Sequence, residues 1–237
     1  MKKILVLAGG FGTRLKSVVS DVPKPLAPVE GKPFLIHLIQ NCISQGANEF
    51  VLLLHFEADK IIDIIKKMSG DAQLDGVKIG VIVEPEPLGT GGSILNAFYA
   101  LNLNESVLVI NADTWLGTGL SLMDSSRAPA VAAVKLKDCK RYGSLEIENG
   151  KVKSFREKSE IYFEGWINAG MYHLTRENFF GLLPGRSFSL EDSILPRLSN
   201  AGKLEAKLLE TEFIDIGVPE DYFRFCDWIK KRNEIGL

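Results

Sequence analysis

The chain has 237 residues, 46% of them apolar and 24% charged, with a formal net charge of −2. That length suits one large α/β domain with a sizeable core, and the composition is that of an ordinary globular protein. A charge so near neutrality gives no general attraction to nucleic acid or to an anionic membrane, so neither is an expected partner and any phosphate binding needs a local site.

After Met1-Lys2-Lys3 the chain is apolar only as far as Ala8, where glycines interrupt it, too short for a signal sequence. Residues 4–8 read as a buried parallel strand entering a loop. Residues 33–45 have helical spacing and stop at Gly46. A strand at 50–54, an amphipathic helix at 58–68, a strand at 77–84, a helix at 92–101 and a strand at 106–110 follow. This alternation predicts an α/β fold: a Rossmann-like, mostly parallel mixed sheet flanked by helices. Right-handed crossovers then bring the loop at Gly9, Glu84 and Asn111-Ala112-Asp113 to one sheet edge, where ligands bind in open α/β sheets.

The second half reads differently. Short strands are expected at 130–135, 143–147, 152–155 and 166–174, with a hairpin signal at Asn149-Gly150. Helices are expected at 176–183 and 190–198, then a strand pair, then a closing helix at 219–232. No segment approaches the roughly 20 apolar residues of a membrane span. Residues 1–237 are read as a single unit. Residues 1–128 form the alternating half, and 129–237 a smaller β-rich half with the closing helix. The two are expected to share one continuous core, the second laid over the edge of the first. Cys42, Cys139 and Cys226 lie far apart with no CxxC spacing, which suits reduced thiols in a cytoplasmic protein.

Chemistry concentrates after the first strand, in Leu7-Ala8-Gly9-Gly10-Phe11-Gly12-Thr13-Arg14-Leu15. Glycines there permit positive φ and let backbone N–H groups approach an anion. A dinucleotide fingerprint starting at Gly10 would need a third glycine where Leu15 stands, and no Walker Gly-Lys-Ser/Thr is present. Arg14 instead offers a forked, permanent charge, and Lys24 is held between Pro23 and Pro25. Two fixed cations beside a glycine loop suit a triphosphate whose diphosphate leaves with added charge. The plain alternative is a structural turn with solvated cations.

These strings resemble the sugar-phosphate nucleotidyltransferase family, the nucleoside-diphosphate-sugar pyrophosphorylases. The resemblance rests on residues 7–15, Pro23-Lys24-Pro25, residues 84–92, Asn111-Ala112-Asp113, residues 155–158, Asn168-Ala169-Gly170 and Asp215-Ile216-Gly217. Residues 14–23 and 215–222 look most like the family's bacterial D-glycero-α-D-manno-heptose 1-phosphate guanylyltransferases. The resemblance implies that an NTP and a sugar 1-phosphate are the substrates and Mg²⁺ the cofactor, with Asp113 and Asp215 as metal ligands. It implies catalytic roles for Arg14, Lys24, Asp113 and Lys158. It places Leu7, Ala8, Gly9, Gly10, Gly12, Thr13, Glu84, Gly89, Thr90 and Asp113 at the nucleotide. It places Gly143, Glu157, Lys158, Asn168 and Ala169 at the sugar phosphate.

The residue chemistry agrees in part. Two carboxylates at strand ends suit a hard cation that takes its remaining ligands from phosphates. Glu84 presents only acceptors, which matches the adjacent N1–H and N2–H of guanine better than the single donor of uracil, although a Glu could also meet ribose or solvent. Glu191-Asp192 after Ser189 reads as a helix cap in preference to a sugar contact. His37, His55 and His173 have no metal spacing and read as structural. Without a hexapeptide repeat the chain reads as monofunctional, with a homodimer left open. Rival readings are guanylyl transfer to mannose 1-phosphate, uridylyl transfer to an amino-sugar phosphate, and a nucleotide-sugar-binding module that does not turn over. A dinucleotide-dependent oxidoreductase is disfavoured by the missing third glycine.

Overall fold

The apolar run that opens the chain forms strand β1 (Ile4–Leu7), with Ile4, Leu5 and Val6 fully buried. In the computed structural model, which describes residues 3–68, 74, 76–156 and 163–234, two 3-10 turns follow, Thr13–Leu15 and Lys24–Leu26. A small hairpin of β2 (Pro28–Val29) and β3 (Lys32–Pro33) then leads into α1 (Phe34–Ser44). Next come β4 (Glu49–Leu54), α2 (Ala58–Met68), β5 (Lys78–Val83), α3 (Gly89–Ala100) and β6 (Val107–Asn111). β7 (Thr114–Leu116), α4 (Leu120–Asp124), β8 (Ala130–Leu136), β9 (Ser144–Glu148), β10 (Lys151–Arg156) and β11 (Gly165–Leu174) continue the chain. It ends with α5 (Leu195–Asn200), β12 (Glu205–Leu209), β13 (Phe213–Asp215) and α6 (Pro219–Glu234).

Nine strands form one mixed sheet in the order β5-β4-β1-β6-β11-β8-β12-β10-β9. The first four are mutually parallel, and β11 turns the sheet antiparallel against β6. The first half of β11 also pairs with β9, so β11, β8, β12, β10 and β9 close a ring of strands. The second half therefore extends the sheet and curls; it is not laid over its edge.

The core is also not one body. Ile4 and Val6 belong to one buried cluster and Leu5 to another, as the alternation of a strand covered on both faces requires. Both clusters draw on both halves: Ala130 and Phe225 join the first, Val131 and Tyr172 the second.

Three local expectations change. The helix expected at 176–183 is a four-residue 3-10 turn, Arg176–Phe179, before Gly181 at φ +82°. The one at 190–198 opens as a π turn, Leu190–Ile194, and becomes α5. The expected strand pair before the closing helix is real as strands but not as a pair, since β12 joins β8 while β13 joins β7. The Asn149-Gly150 hairpin is present, with both residues at positive φ between paired Glu148 and Lys151.

Candidate active site

A cleft of about 1150 Å³ opens at the C-terminal ends of β1 and β6. The glycine loop forms one wall. Gly10, Gly12, Thr13 and Arg14 line it, with Leu7 and Ala8 at its base. Among the described residues, no backbone carbonyl accepts from the N–H groups of Gly10, Gly12, Thr13 or Arg14, which leaves those donors for an anion. Arg14 is exposed, and buried Leu15 pins the turn that carries it. Only Gly12 of the three glycines needs positive φ, at +59°, and a Cβ there would sit 2.8 Å from Lys24 Cβ. Gly9 does not line the cleft; it packs against His55, where a Cβ would be 3.1 Å from the backbone nitrogen.

Lys24 projects from its Pro-flanked turn into the same space. Its Nζ lies 2.6 Å from Asp113 Oδ2 and 3.7 Å from Asp215 Oδ1. The two aspartates meet because β13 pairs antiparallel with β7, bringing Asp215 opposite Thr114, and because Ile216 N–H donates to the Asp113 carbonyl at 2.9 Å. The Thr114 hydroxyl donates to Asp113 Oδ1, and Gly217 N–H donates to Asp215 Oδ1 at 2.7 Å. Gly217 is required, as a Cβ would fall 2.8 Å from that carboxylate. Burial, and then the facing Asp113 charge, push the Asp215 carboxyl above its usual range; Lys24 partly offsets them.

Two carboxylates that flank one cation and both line the cleft fit Mg²⁺, which takes one or two carboxylates and completes its shell with phosphates and water. Among the described residues there is no cluster of three or more carboxylate, His or Cys side chains, so phosphate oxygens are needed for a full site.

The opposite wall belongs to β11 and the segment before α5. Gly143, Asn168, Gly170 and Tyr172 line it. Strand alternation turns Ala169 the other way: it is fully buried in the core, so its side chain does not face the cleft. Glu157 and Lys158 lie outside the described residues.

The 84–92 segment departs most from expectation. Glu84 is buried, 4% exposed, and does not line the cleft. Its Oε2 accepts from Leu88 N–H at 3.3 Å, while Oε1 has no partner among the described residues. Gly89, Gly91 and Gly92 leave room for the protein's own 186–190 segment. A Cβ would lie 2.6 Å from the Phe188 carbonyl at Gly89, against the edge of the Phe188 ring at Gly91 and against the Arg186 carbonyl at Gly92. The Gly91 and Gly92 N–H groups donate to Phe188 O, which occupies the helix N-terminus. Thr90 donates to Glu191 Oε2 at 2.6 Å and accepts from Leu190 N–H. Chain-to-chain packing accounts for this glycine cluster, and Gly89 and Thr90 do not line the cleft.

Several cleft residues had no role assigned from sequence. Ser189 caps Asp192 N–H as predicted, yet neighbouring Glu191 faces the cleft and accepts from the Tyr172 hydroxyl at 3.1 Å. Burial and the Glu191 charge hold Tyr172 well above the ordinary tyrosine range, so it remains a donor. Arg141 lines the cleft and is tied to buried Asp221 of α6, which also pairs with Arg224 at 2.9 Å. Asn111 lines it too, with a buried, unpartnered Oδ1. No spacing marks these residues; β11, α6 and β6 meet only in the folded chain. The three histidines are structural: His37 meets Val29 O, His55 meets Glu84 O, and His173 meets Ser126.

A family model described as nucleotidyl transferase matches residues 3–232. The chain is 38% identical to D-glycero-alpha-D-manno-heptose 1-phosphate guanylyltransferase of Campylobacter jejuni over 93% of this chain and 97% of that one. It is 34% identical to the enzyme of the same name from Aneurinibacillus thermoaerophilus, covering 92% and 94%. The crystal structure of HddC from Yersinia pseudotuberculosis complexed with GMP-PN superposes with a TM-score of 0.84 at 38% identity, over 97% of this chain and 100% of that one. The glycine loop with Arg14, the Lys24–Asp113–Asp215 cluster and the facing polar wall thus stand in a chain that belongs to the nucleotidyl transferase family.

Proposed function

We propose that this nucleotidyltransferase transfers a guanylyl group from GTP to D-glycero-α-D-manno-heptose 1-phosphate and releases pyrophosphate. The observation that carries this reading is the alignment of two bacterial enzymes named for it over more than nine-tenths of the chain. Guanine rests on those two names and not on Glu84, which is buried away from the cleft.

A phosphate oxygen of the sugar 1-phosphate attacks the α-phosphorus in line. The new P–O bond forms as the bond to the β-phosphate oxygen breaks. The nucleophile is already anionic, so no general base is needed, and catalysis is positioning and charge neutralisation. The loop N–H groups and Arg14 hold the leaving diphosphate. Lys24 turns from Asp113 to the α-phosphate. Lys158 steers the sugar phosphate, with Glu157, Gly143 and Asn168 at the sugar. Asp113 and Asp215 would hold Mg²⁺, which when bound would supply Lewis-acid neutralisation of phosphate charge. Residues 1–128 then serve the nucleotide and 129–237 the sugar phosphate. The product suits cytoplasmic supply of surface polysaccharide synthesis.

The test is a panel of four NTPs against heptose, mannose and amino-sugar 1-phosphates, read by pyrophosphate release. The proposal requires GTP with the heptose 1-phosphate to give the highest kcat/KM. Preference for mannose 1-phosphate, or for UTP, replaces it with the corresponding rival. Tight binding with no pyrophosphate release from any pair replaces it with a binding module.

A further inference from the structure

We infer that the turn between β4 and α2, residues 55–60, is a bracket that presets the glycine loop for the NTP, with Phe56 as its positioning residue. Phe56 meets the loop at three places. Its N–H reaches the Gly9 carbonyl at 3.5 Å. Its ring centroid lies 5.3 Å from that of Phe11, and the Lys16 ammonium stands 5.1 Å from it. His55, one residue earlier, meets the Phe11 ring edge-on at 5.9 Å. Lys60 donates to the Asp21 carbonyl at 2.8 Å and is held by Glu57 Oε1 at 2.6 Å. The arm that carries Arg14 and the arm that leads to Lys24 thus rest on one turn.

The tip of the loop needs such a support. The N–H groups of Gly10, Gly12, Thr13 and Arg14 have no carbonyl partner among the described residues, so hydrogen bonds do not fix its shape. Gly10 and Gly12 have no side chain, and Thr13 and Arg14 are exposed. Between Gly9 and Leu15 that leaves Phe11 as the side chain packed on another segment. Glycine-rich backbone loses much freedom when it is ordered, so one aromatic anchor matters more here than in a helix or strand.

Phe11 is 49% exposed and, like His55 and Phe56, does not line the cleft. These rings therefore act on the NTP through the loop and not by touching it. A loop in place in only a fraction of the molecules weakens apparent NTP affinity by that fraction. Bound NTP then orders the loop itself, which spares turnover at saturation.

The inference rests on the proposed reading that this loop holds the NTP phosphates. Its test uses the NTP and sugar 1-phosphate accepted on the panel above. Steady-state kinetics and amide hydrogen exchange over residues 9–22 are compared in wild type, Phe56→Ala, Phe11→Ala, the double variant and Phe56→Tyr. Phe56→Ala should raise KM for the NTP by about 3- to 10-fold, the scale of one aromatic pair. In the same variant kcat and KM for the sugar 1-phosphate should stay within about 2-fold of wild type. Exchange over residues 9–22 should quicken in the free variant and slow again with NTP bound. Phe11→Ala should behave alike, and the double variant should be no worse than Phe56→Ala, because the two rings act as a unit. Phe56→Tyr keeps the ring and should restore the wild-type KM. Phe11 is half in solvent, so its removal spares the fold and decides the matter if Phe56→Ala unfolds. Wild-type KM for the NTP in both single variants overturns the inference. So does a raised KM with unchanged exchange, or a rise confined to Phe11→Ala, which would put Phe11 on the nucleotide itself. Failure of the phosphate-loop reading shows separately, as Arg14→Ala with wild-type KM for the NTP.

Discussion

Lys24 Nζ lies 2.6 Å from Asp113 Oδ2, so the cation proposed for the α-phosphate sits against the carboxylate proposed for the metal. Asp215 approaches the same ammonium at 3.7 Å. One lysine therefore faces two half-buried carboxylates at once. In the proposed reaction the lysine yields that position and follows the phosphate.

Replacing Lys24 by alanine should lower kcat by about 10²- to 10³-fold, the cost of removing one preorganised electrostatic donor. Far-ultraviolet circular dichroism should be unchanged, because the ammonium's ion pairs are to Asp113 and Asp215 at the cleft and not within a helix or the sheet. Wild-type turnover by the variant would refute the assignment.

Asp113→Asn keeps the shape of the side chain and removes its charge. Half-maximal activity should require more Mg²⁺, by about 10-fold or more, since hard cations depend on carboxylate ligands. The measurement is pyrophosphate release across a Mg²⁺ titration; superimposable curves count against a metal role.

Asp215 carries a stability cost. Its carboxyl is raised above the ordinary range by burial and by Asp113. The folded state then binds the proton more tightly than the unfolded state. Stability falls as pH rises from the ordinary carboxylate pKa through the raised one, and the cost is complete above it. Asp215→Asn removes the charge, so at pH 7–8 without Mg²⁺ its Tm should exceed that of wild type, by about 2–4 °C for each kcal/mol relieved. The gap should close below about pH 4, where both states of the wild type are protonated. A variant less stable than wild type at neutral pH would contradict this account, and its lost activity would be the functional side of the exchange.

Gly12→Ala places a methyl group at φ +59° and 2.8 Å from Lys24 Cβ. The backbone alone costs about 1–2 kcal/mol. The displaced Lys24 should also lower kcat at temperatures where the variant is fully folded. Thermal denaturation and initial rates on one preparation separate the two effects; a loss of Tm with wild-type kcat would show that Gly12 serves the loop and not the lysine.

Gly92→Ala drives a methyl group onto the Arg186 carbonyl. Overpacking of this kind costs about 1–3 kcal/mol. The variant should lose several degrees of Tm, with KM for the NTP little altered in the fraction that remains folded. Wild-type stability with weakened nucleotide binding would return this glycine to the base and ribose.

The sequence by itself determined β1, β4, β5 and β6 and the helices between them, because apolar runs of four to six residues alternating with helical periods favour a parallel sheet. It determined the glycine loop, Arg14, Lys24, Asp113 and Asp215 as parts of a cleft, because each stands next to a strand end or a proline-braced turn. Tertiary structure alone decided what each group spends its hydrogen bonds on. Gly89 reads as part of the nucleotide site, yet with Gly91 and Gly92 it admits residues 186–190, a contact about 100 positions away that no local pattern encodes. Ala169 faces the core because the pleat of β11 alternates around it. Asn168 and Asn111 look equivalent as letters. Only the fold shows that the first amide is satisfied by Gly170 and Tyr172, while the Oδ1 of the second is buried with no partner among the described residues, since satisfaction depends on how the strand bends and on what packs beside it.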